Sequence, residues 1–204
     1  MNSSTCNAFN TRTFLFLLLL GAIAAGGCKR QKPDRTTVRG TFALYMGIST
    51  QGNYQALFPL LVSRLRDKIA MAHGNIRQCV GLIQDHFPPA LKAQALESLG
   101  PPGVRVAKTP DQHLAVLMDA AGRPALDIRE RLTSKIKRIR QVMAGTYEVT
   151  TVSGARLRFV RKGDGRFYLV PTDRDVRLIH QQYLLSMERL DATKKTVKTL
   201  GFNK

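Results

Sequence analysis

From Gly145 onward the apolar residues repeat at every second position, in TYEVTTV, ARLRFVRK and GRFYLVP. Such a period sends alternate side chains to opposite sides of a strand, whereas a helix that buries one face repeats every three to four residues. The separators Ser153-Gly154 and Gly163-Asp164-Gly165 are hairpin signals, because glycine takes the positive φ that a tight turn demands. The segment therefore predicts an antiparallel β-meander. Within it Leu157, Phe159 and Arg161 alternate with Arg156, Arg158 and Val160, so one sheet face is basic near its middle.

The residues before Gly145 follow a helical period. Val38, Phe42, Tyr45 and Met46 share a face of a first helix that begins near Thr36, and the polar stretch 51–53 ends it. Asn53 can cap a second helix carrying Leu57, Leu61, Leu65 and Ile69, with a kink or restart expected at Pro59 because proline lacks the N–H that a helix interior needs. His73-Gly74-Asn75 is expected to break it before a third helix bearing Ile76, Val80, Ile83 and Phe87. Pro88-Pro89 stops that one, a short helix with Leu91, Ala95, Leu96 and Leu99 follows, and Gly100-Pro101-Pro102-Gly103 reads as a loop. Thr109-Pro110-Asp111 is a helix start for Leu114, Leu117 and Met118.

In 126–143, Ile128, Leu132, Ile136, Ile139 and Met143 fall at steps of three and four, which predicts a helix. Lys135, Lys137, Arg138 and Arg140 leave a basic edge strand as the rival reading. After the meander Asp173 is placed to cap a long terminal helix striped by Val176, Ile179, Tyr183, Met187, Leu190, Val197 and Leu200. The predicted fold class is α+β, with several N-terminal helices, an antiparallel meander and a long C-terminal helix.

The N-terminus predicts processing. A single basic residue, Arg12, precedes the run FLFLLLLGAIA from Phe14 to Ala24, and small residues lead into Cys28. That is the order of a secretory signal peptide, and the run is shorter than the roughly 18–20 residues that span a bilayer. The stretch Ala25-Gly26-Gly27-Cys28 resembles the lipobox of bacterial lipoproteins, departing from it at Ala25, where that family prefers a branched aliphatic residue. The resemblance implies that Cys28 is diacylated and becomes the mature N-terminus, with membrane attachment through its lipid. Lys29 in place of aspartate after the cysteine implies sorting to the outer membrane, facing the periplasm. The domain organisation that follows is a signal peptide over 1–27, a lipidated tether over 28–35 and one α+β domain over 36–204.

Charge is the strongest compositional feature. The chain carries 32 Lys and Arg against 14 Asp and Glu, a net charge of +18, and loss of residues 1–27 with Arg12 leaves +17. Such a charge attracts anionic surfaces without specifying a fold. Outside the cytoplasm these are phospholipid headgroups, an envelope polymer or an acidic partner protein, and nucleic acid is not expected; no zinc-finger spacing or aromatic RNA-recognition motif is present. The densest stretch, Arg123 to Arg166, holds twelve basic residues against four acids. Arg138, Arg140, Arg156, Arg158, Arg161, Lys162 and Arg166 are the candidate binding patch, with a merely solvated basic face as the plain alternative.

Catalytic chemistry is sparse. No nucleophile elbow, phosphate-binding loop or H-E-x-x-H pair occurs. His73, His86, His113 and His180 are isolated in sequence, no metal site is predicted, and no cofactor is called for. Cys79 borders a helical stripe and reads as a small buried hydrophobe; with Cys6 lost and Cys28 acylated it has no intramolecular disulfide partner. Tyr45, His113, Asp119 and Tyr147 are the polar residues that could converge in a pocket.

TFALYMGISTQGNYQALFPLLVSRLRDKI and the hairpin RLRFVRKGDGRFYLVP resemble parts of the nuclear-transport-factor-like, or cystatin-like cone, domains. Over about half of the mature chain this implies a sheet wrapped against helices, with or without a ligand pocket. The function expected from the whole sequence is a membrane-anchored, non-enzymatic binding or scaffold module. Its rivals are a carrier of a lipid or other apolar ligand between sheet and helices, and a small cone-fold isomerase or hydrolase.

Overall fold

The computed structural model describes residues 34–122 and 134–201. Residues 1–27, expected to form a signal peptide, together with Cys28 and the stripe residues Ile128 and Leu132, lie outside the described residues. In order, the described elements are α1 (Val38–Gln51), a 3-10 helix (Tyr54–Leu60), α2 (Ser63–His86), α3 (Pro89–Ser98), α4 (Pro102–Val106) and α5 (Pro110–Ala120). The strands β1 (Ile136–Met143), β2 (Thr146–Thr151), β3 (Arg156–Arg161) and β4 (Phe167–Val170) follow, and then α6 (Asp173–Thr199). The fold is α+β. Its four-stranded antiparallel sheet has the order β1-β2-β3-β4, the meander that the period of two predicts, and its hairpins turn at Gly145, Gly154 and Gly165 with φ of 70°, 87° and 75°.

The sheet packs its inner face against helices. Val149, Leu157, Phe159, Phe167 and Leu169 form one core with Val38 and Phe42 of α1, Tyr54 and Leu57 of the 3-10 helix, Leu65 and Ile69 of α2, Leu114 and Met118 of α5, and Ile179 of α6. Burial at about 25 cal/mol per Å2 of apolar surface drives this association. Beyond the sheet α2 and α6 run side by side in the same direction, joined by Lys68 Nζ to His180 Nδ1 at 2.8 Å and by Asn75 Nδ2 donating to Ser186 Oγ at 3.0 Å. Cys79, Ile83, Leu99 and Leu190 make a second cluster there. A third, smaller one joins Ile76, Val104 and Leu117.

Three expectations need correction. The helix expected over 126–143 is strand from Ile136 to Met143. Register shifts between Ile136 and Arg138 and between Gln141 and Met143 explain the misleading period. Ile136 opposes Thr151 and Ile139 opposes Val149, so a bulge lets two residues three apart face the same way, imitating a helical step. The expected break at His73-Gly74-Asn75 is absent, and α2 is continuous for 24 residues. Leu65, Ile69, Ala72, Ile76, Cys79 and Ile83 are buried along one unbroken stripe. The roughly 1 kcal/mol that glycine costs a helix is small against that burial.

The restart expected near Pro59 is found. Pro59 sits in the 3-10 helix, Leu61 is extended and bridges Leu169 in parallel, and α2 restarts at Ser63. The loop expected over 100–103 already contains the start of α4 at Pro102, where proline suits the first helical turn. A smaller shift concerns α6, whose cap is Thr172, accepting from the Asp175 N–H, rather than Asp173. Along α6 the buried positions are Asp175, Ile179, Ser186, Leu190 and Thr193, while Met187 is exposed.

An ideal Cβ at Gly74 meets nothing within 4 Å. Gly74→Ala is therefore expected to stabilise the protein by about 1 kcal/mol, raising Tm by roughly 2–4 °C. A thermal melt checks this; a broken helix at that point would give no gain.

Candidate functional site

Cross-strand register builds the site. Arg140, Glu148 and Arg158 oppose one another in one row across β1, β2 and β3, and Arg138, Thr150 and Arg156 form the next row. Directly opposed residues share a face of the sheet. Since Val149, Leu157 and Phe159 point into the core, these two rows point outward, and all four arginines are exposed. Glu148 lies between two of them, with its Oε2 3.8 Å from Arg158 Nε. That pair is long, with Arg158 exposed and Glu148 half-buried, and contributes little to stability; one carboxylate among four guanidiniums leaves the face strongly positive.

Two arginines from outside the meander extend this face. Tyr168 opposes Val160 and therefore lies on the same outer side. The Arg35 guanidinium stands over its ring at 4.2 Å from the centroid and Arg66 at 5.6 Å, both in the range of cation–π attraction. The backbone fixes Arg35 as well, its carbonyl accepting from the Phe167 N–H at 2.7 Å. Close approach of Asp34 to α1 requires Gly40, because a Cβ there would overlap the Asp34 carbonyl. The Tyr168 hydroxyl donates to Asp164 Oδ2 at 2.5 Å and the Arg166 N–H to Asp164 Oδ1 at 3.0 Å. These bonds, the tyrosine's first, hold the Asp164 carboxyl below its ordinary pKa.

A groove of about 250 Å3 opens beside these rows, lined by Glu148, Arg156, Arg158, Val170, Thr172 and Asp173 among others. It lies where the sheet meets the N-terminus of α6. The arrangement can attract extended or repeated anionic groups.

The seven basic residues singled out from the sequence divide into two sets. Arg138, Arg140, Arg156 and Arg158 share the outer rows. Arg161 opposes Phe167, on the inner parity, and is exposed at the end of the sheet, where its N–H bonds the Gly145 carbonyl at 2.7 Å. Lys162 and Arg166 close the β3–β4 hairpin, with the Lys162 N–H donating to the Arg166 carbonyl at 3.0 Å. Arg35 and Arg66 were not among the sequence candidates: they stand 133 and 102 positions before Tyr168, and no local pattern links them to it.

Tyr45, His113, Asp119 and Tyr147 do not line this groove or the larger cleft between α2, α3 and α4. Tyr45 and Tyr147 pack against the main core, and Asp119 is exposed. His113 is buried and meets His73 edge to face, with ring centroids 5.9 Å apart. Its Nδ1 has no hydrogen-bond partner among the described residues. Burial, with His73 adding to it and a bond to the Val104 backbone opposing it, lowers the His113 pKa from 6.5 to about 4. Cys79 is fully buried and burial raises its thiol pKa, in keeping with a packing role. Among the described residues no group of three or more His, Cys, Asp or Glu is placed to hold a metal ion, and no helix is long and apolar enough to cross a membrane.

Comparison of the chain with protein-family models, curated proteins and solved structures found no match. The lipoprotein and cone-domain resemblances therefore rest on the residues that suggested them.

A folded-state pKa below the unfolded one makes the unfolded chain bind more protons, so stability falls as pH drops from about 6.5 toward 4. The His113 contribution to that loss is about 2 kcal/mol between pH 7 and pH 5. Urea denaturation at the two pH values is expected to show a smaller difference, by that amount, for His113→Leu than for the wild type. Equal pH dependence would contradict a neutral, buried His113.

Proposed function

We propose that this protein is a lipid-anchored envelope lipoprotein that acts as a non-enzymatic binding module, its acyl chains on Cys28 holding it at a membrane and its arginine-bearing sheet face docking on anionic headgroups. The observation that carries this reading is the outward alignment of Arg138, Arg140, Arg156 and Arg158 in two adjacent rows with one acid between them. An exposed sheet face carrying several cations suits an extended anionic surface. Basic residues near such a surface contribute about 1 kcal/mol each, and acyl chains supply about 0.8 kcal/mol per buried methylene. Two signals of different kinds give stable attachment where one is marginal.

The tether supports the same orientation. Residues 29–35 span about 25 Å at most at ~3.3–3.6 Å per residue, and their last member, Arg35, is held against Tyr168 on the arginine side of the sheet. A lipid on Cys28 thus keeps this side within reach of the bilayer. Outer-membrane attachment follows from Lys29 in the lipoprotein reading. Anionic polymers and acidic proteins are further ligands of the same chemistry.

Two measurements test the proposal. Metabolic labelling with an alkyne fatty acid is expected to mark the wild type and not Cys28→Ala. In vesicle sedimentation, the chain from Lys29 onward, which contains every described element, is expected to bind phosphatidylglycerol-containing vesicles and not pure phosphatidylcholine, with affinity falling as salt rises. Replacing the four arginines by glutamine is expected to weaken that binding at least a hundredfold, from about 1 kcal/mol for each charge. Unlabelled wild type would contradict the anchor, and undiminished binding by the fourfold variant would contradict the docking face.

A further inference from the structure

The face of α2 turned away from the sheet carries a second feature, independent of the arginine rows. Arg77, Val80, Gly81 and Gln84 recur at helical spacing and form one wall of a cleft of about 820 Å3, closed by α3 and α4. Its size falls within the roughly 300–1,000 Å3 usual for small-molecule sites. The apolar part comes from Val80, Leu96, Pro102 and Val106. Val106 is 69% exposed despite its place on a helix, an apolar side chain left without cover.

The cleft's charge has one sign. Arg77, Arg105 and Lys108 line it, and no acidic residue does. Arg105 Nε is buried with no hydrogen-bond partner among the described residues, and a buried donor left unpaired is costly. At Gly81 an added Cβ would meet nothing within 4 Å, so the cleft reaches down to the backbone of α2. There is no aromatic side chain in the lining on which a base or sugar could stack.

The geometry points to a binding site for a single-chain anionic amphiphile, a fatty acid, whose hydrocarbon lies along Val80, Leu96 and Val106 and whose carboxylate meets Arg105 with Arg77 or Lys108. An apolar groove that also carries three cations and no anion favours a ligand with both parts, and disfavours either a neutral hydrocarbon or a small ion alone. The chain length sets the affinity, because each methylene buried in the groove adds to it. The carboxylate sets the orientation through charge-assisted bonds, in which a guanidinium can donate two parallel N–H groups.

Isothermal titration of the chain from Lys29 onward with laurate, below the concentration at which it forms micelles, tests this. The expected result is one laurate per chain, with dodecyl maltoside and inorganic phosphate each bound at least tenfold more weakly. Gly81→Leu fills the cleft floor while improving helix propensity, so the variant folds and is expected to lose at least tenfold in laurate affinity. Arg77→Gln, Arg105→Gln and Lys108→Gln combined are expected to lose at least tenfold for laurate while leaving dodecyl maltoside unchanged. The fourfold arginine variant of the sheet is expected to bind laurate as the wild type does, which separates this site from the docking face. No laurate binding, equal binding of the neutral amphiphile or of phosphate, or unchanged affinity in Gly81→Leu would each overturn the assignment.

Discussion

The inward packing of Phe159 is the contact on which the rest of the structure depends. It is fully buried at the centre of the sheet, opposed by Tyr147 on one side and Leu169 on the other. Because side chains alternate along a strand, placing Leu157 and Phe159 in the core obliges Arg156 and Arg158 to face out. A one-residue slip would bury the arginines and expose the hydrophobes, so the core enforces the charge pattern. In β1 the regular register from Arg138 to Arg140 places both arginines in these rows, and the shift between Ile136 and Arg138 lets Ile136 stay inside with Ile139. The basic face is thus a consequence of core packing and register together, with no dedicated loop needed to build it.

The outer edge of this sheet is finished by residues from the start of the chain. Arg35 meets Phe167 through its backbone and Tyr168 through its guanidinium, and Leu61–Val62 pairs with Leu169 just beyond. These contacts cover the free edge of β4, which would otherwise present unpaired backbone groups. They also fix where the N-terminal segment enters the fold. That entry point, at Arg35, lies on the same side of the sheet as the arginine rows.

The meander and most helices were legible in the sequence because single, uninterrupted periods mark them. The stripe from Leu65 to Ile83 was equally regular, but Gly74 is a local break signal that the burial of Ala72 and Ile76 overrides. In 136–143 the sequence was misleading for a different reason: a bulge changes strand parity, and steps of two become steps of three. Half of the arginine face could be read from Arg156 and Arg158 alternating with buried neighbours. Arg35 and Arg66 could not, because their place is set by contacts with Tyr168 far along the chain. Nor could the pairing of His73 with His113, or the cleft, whose cations come from α2, α4 and the residue Lys108 beyond it.

In the proposed function the outer sheet face lies against the membrane. Thr150 stands between Arg138 and Arg156 on that face, while Lys195 lies exposed on α6. The most direct measurement attaches a fluorophore to Thr150→Cys or to Lys195→Cys in the acylated protein, Cys79 being buried, and compares quenching by an aqueous quencher before and after reconstitution on phosphatidylglycerol-containing vesicles. The account predicts that the label at 150 becomes shielded and the label at 195 stays accessible. Equal accessibility at both positions, or shielding at 195 alone, would contradict it.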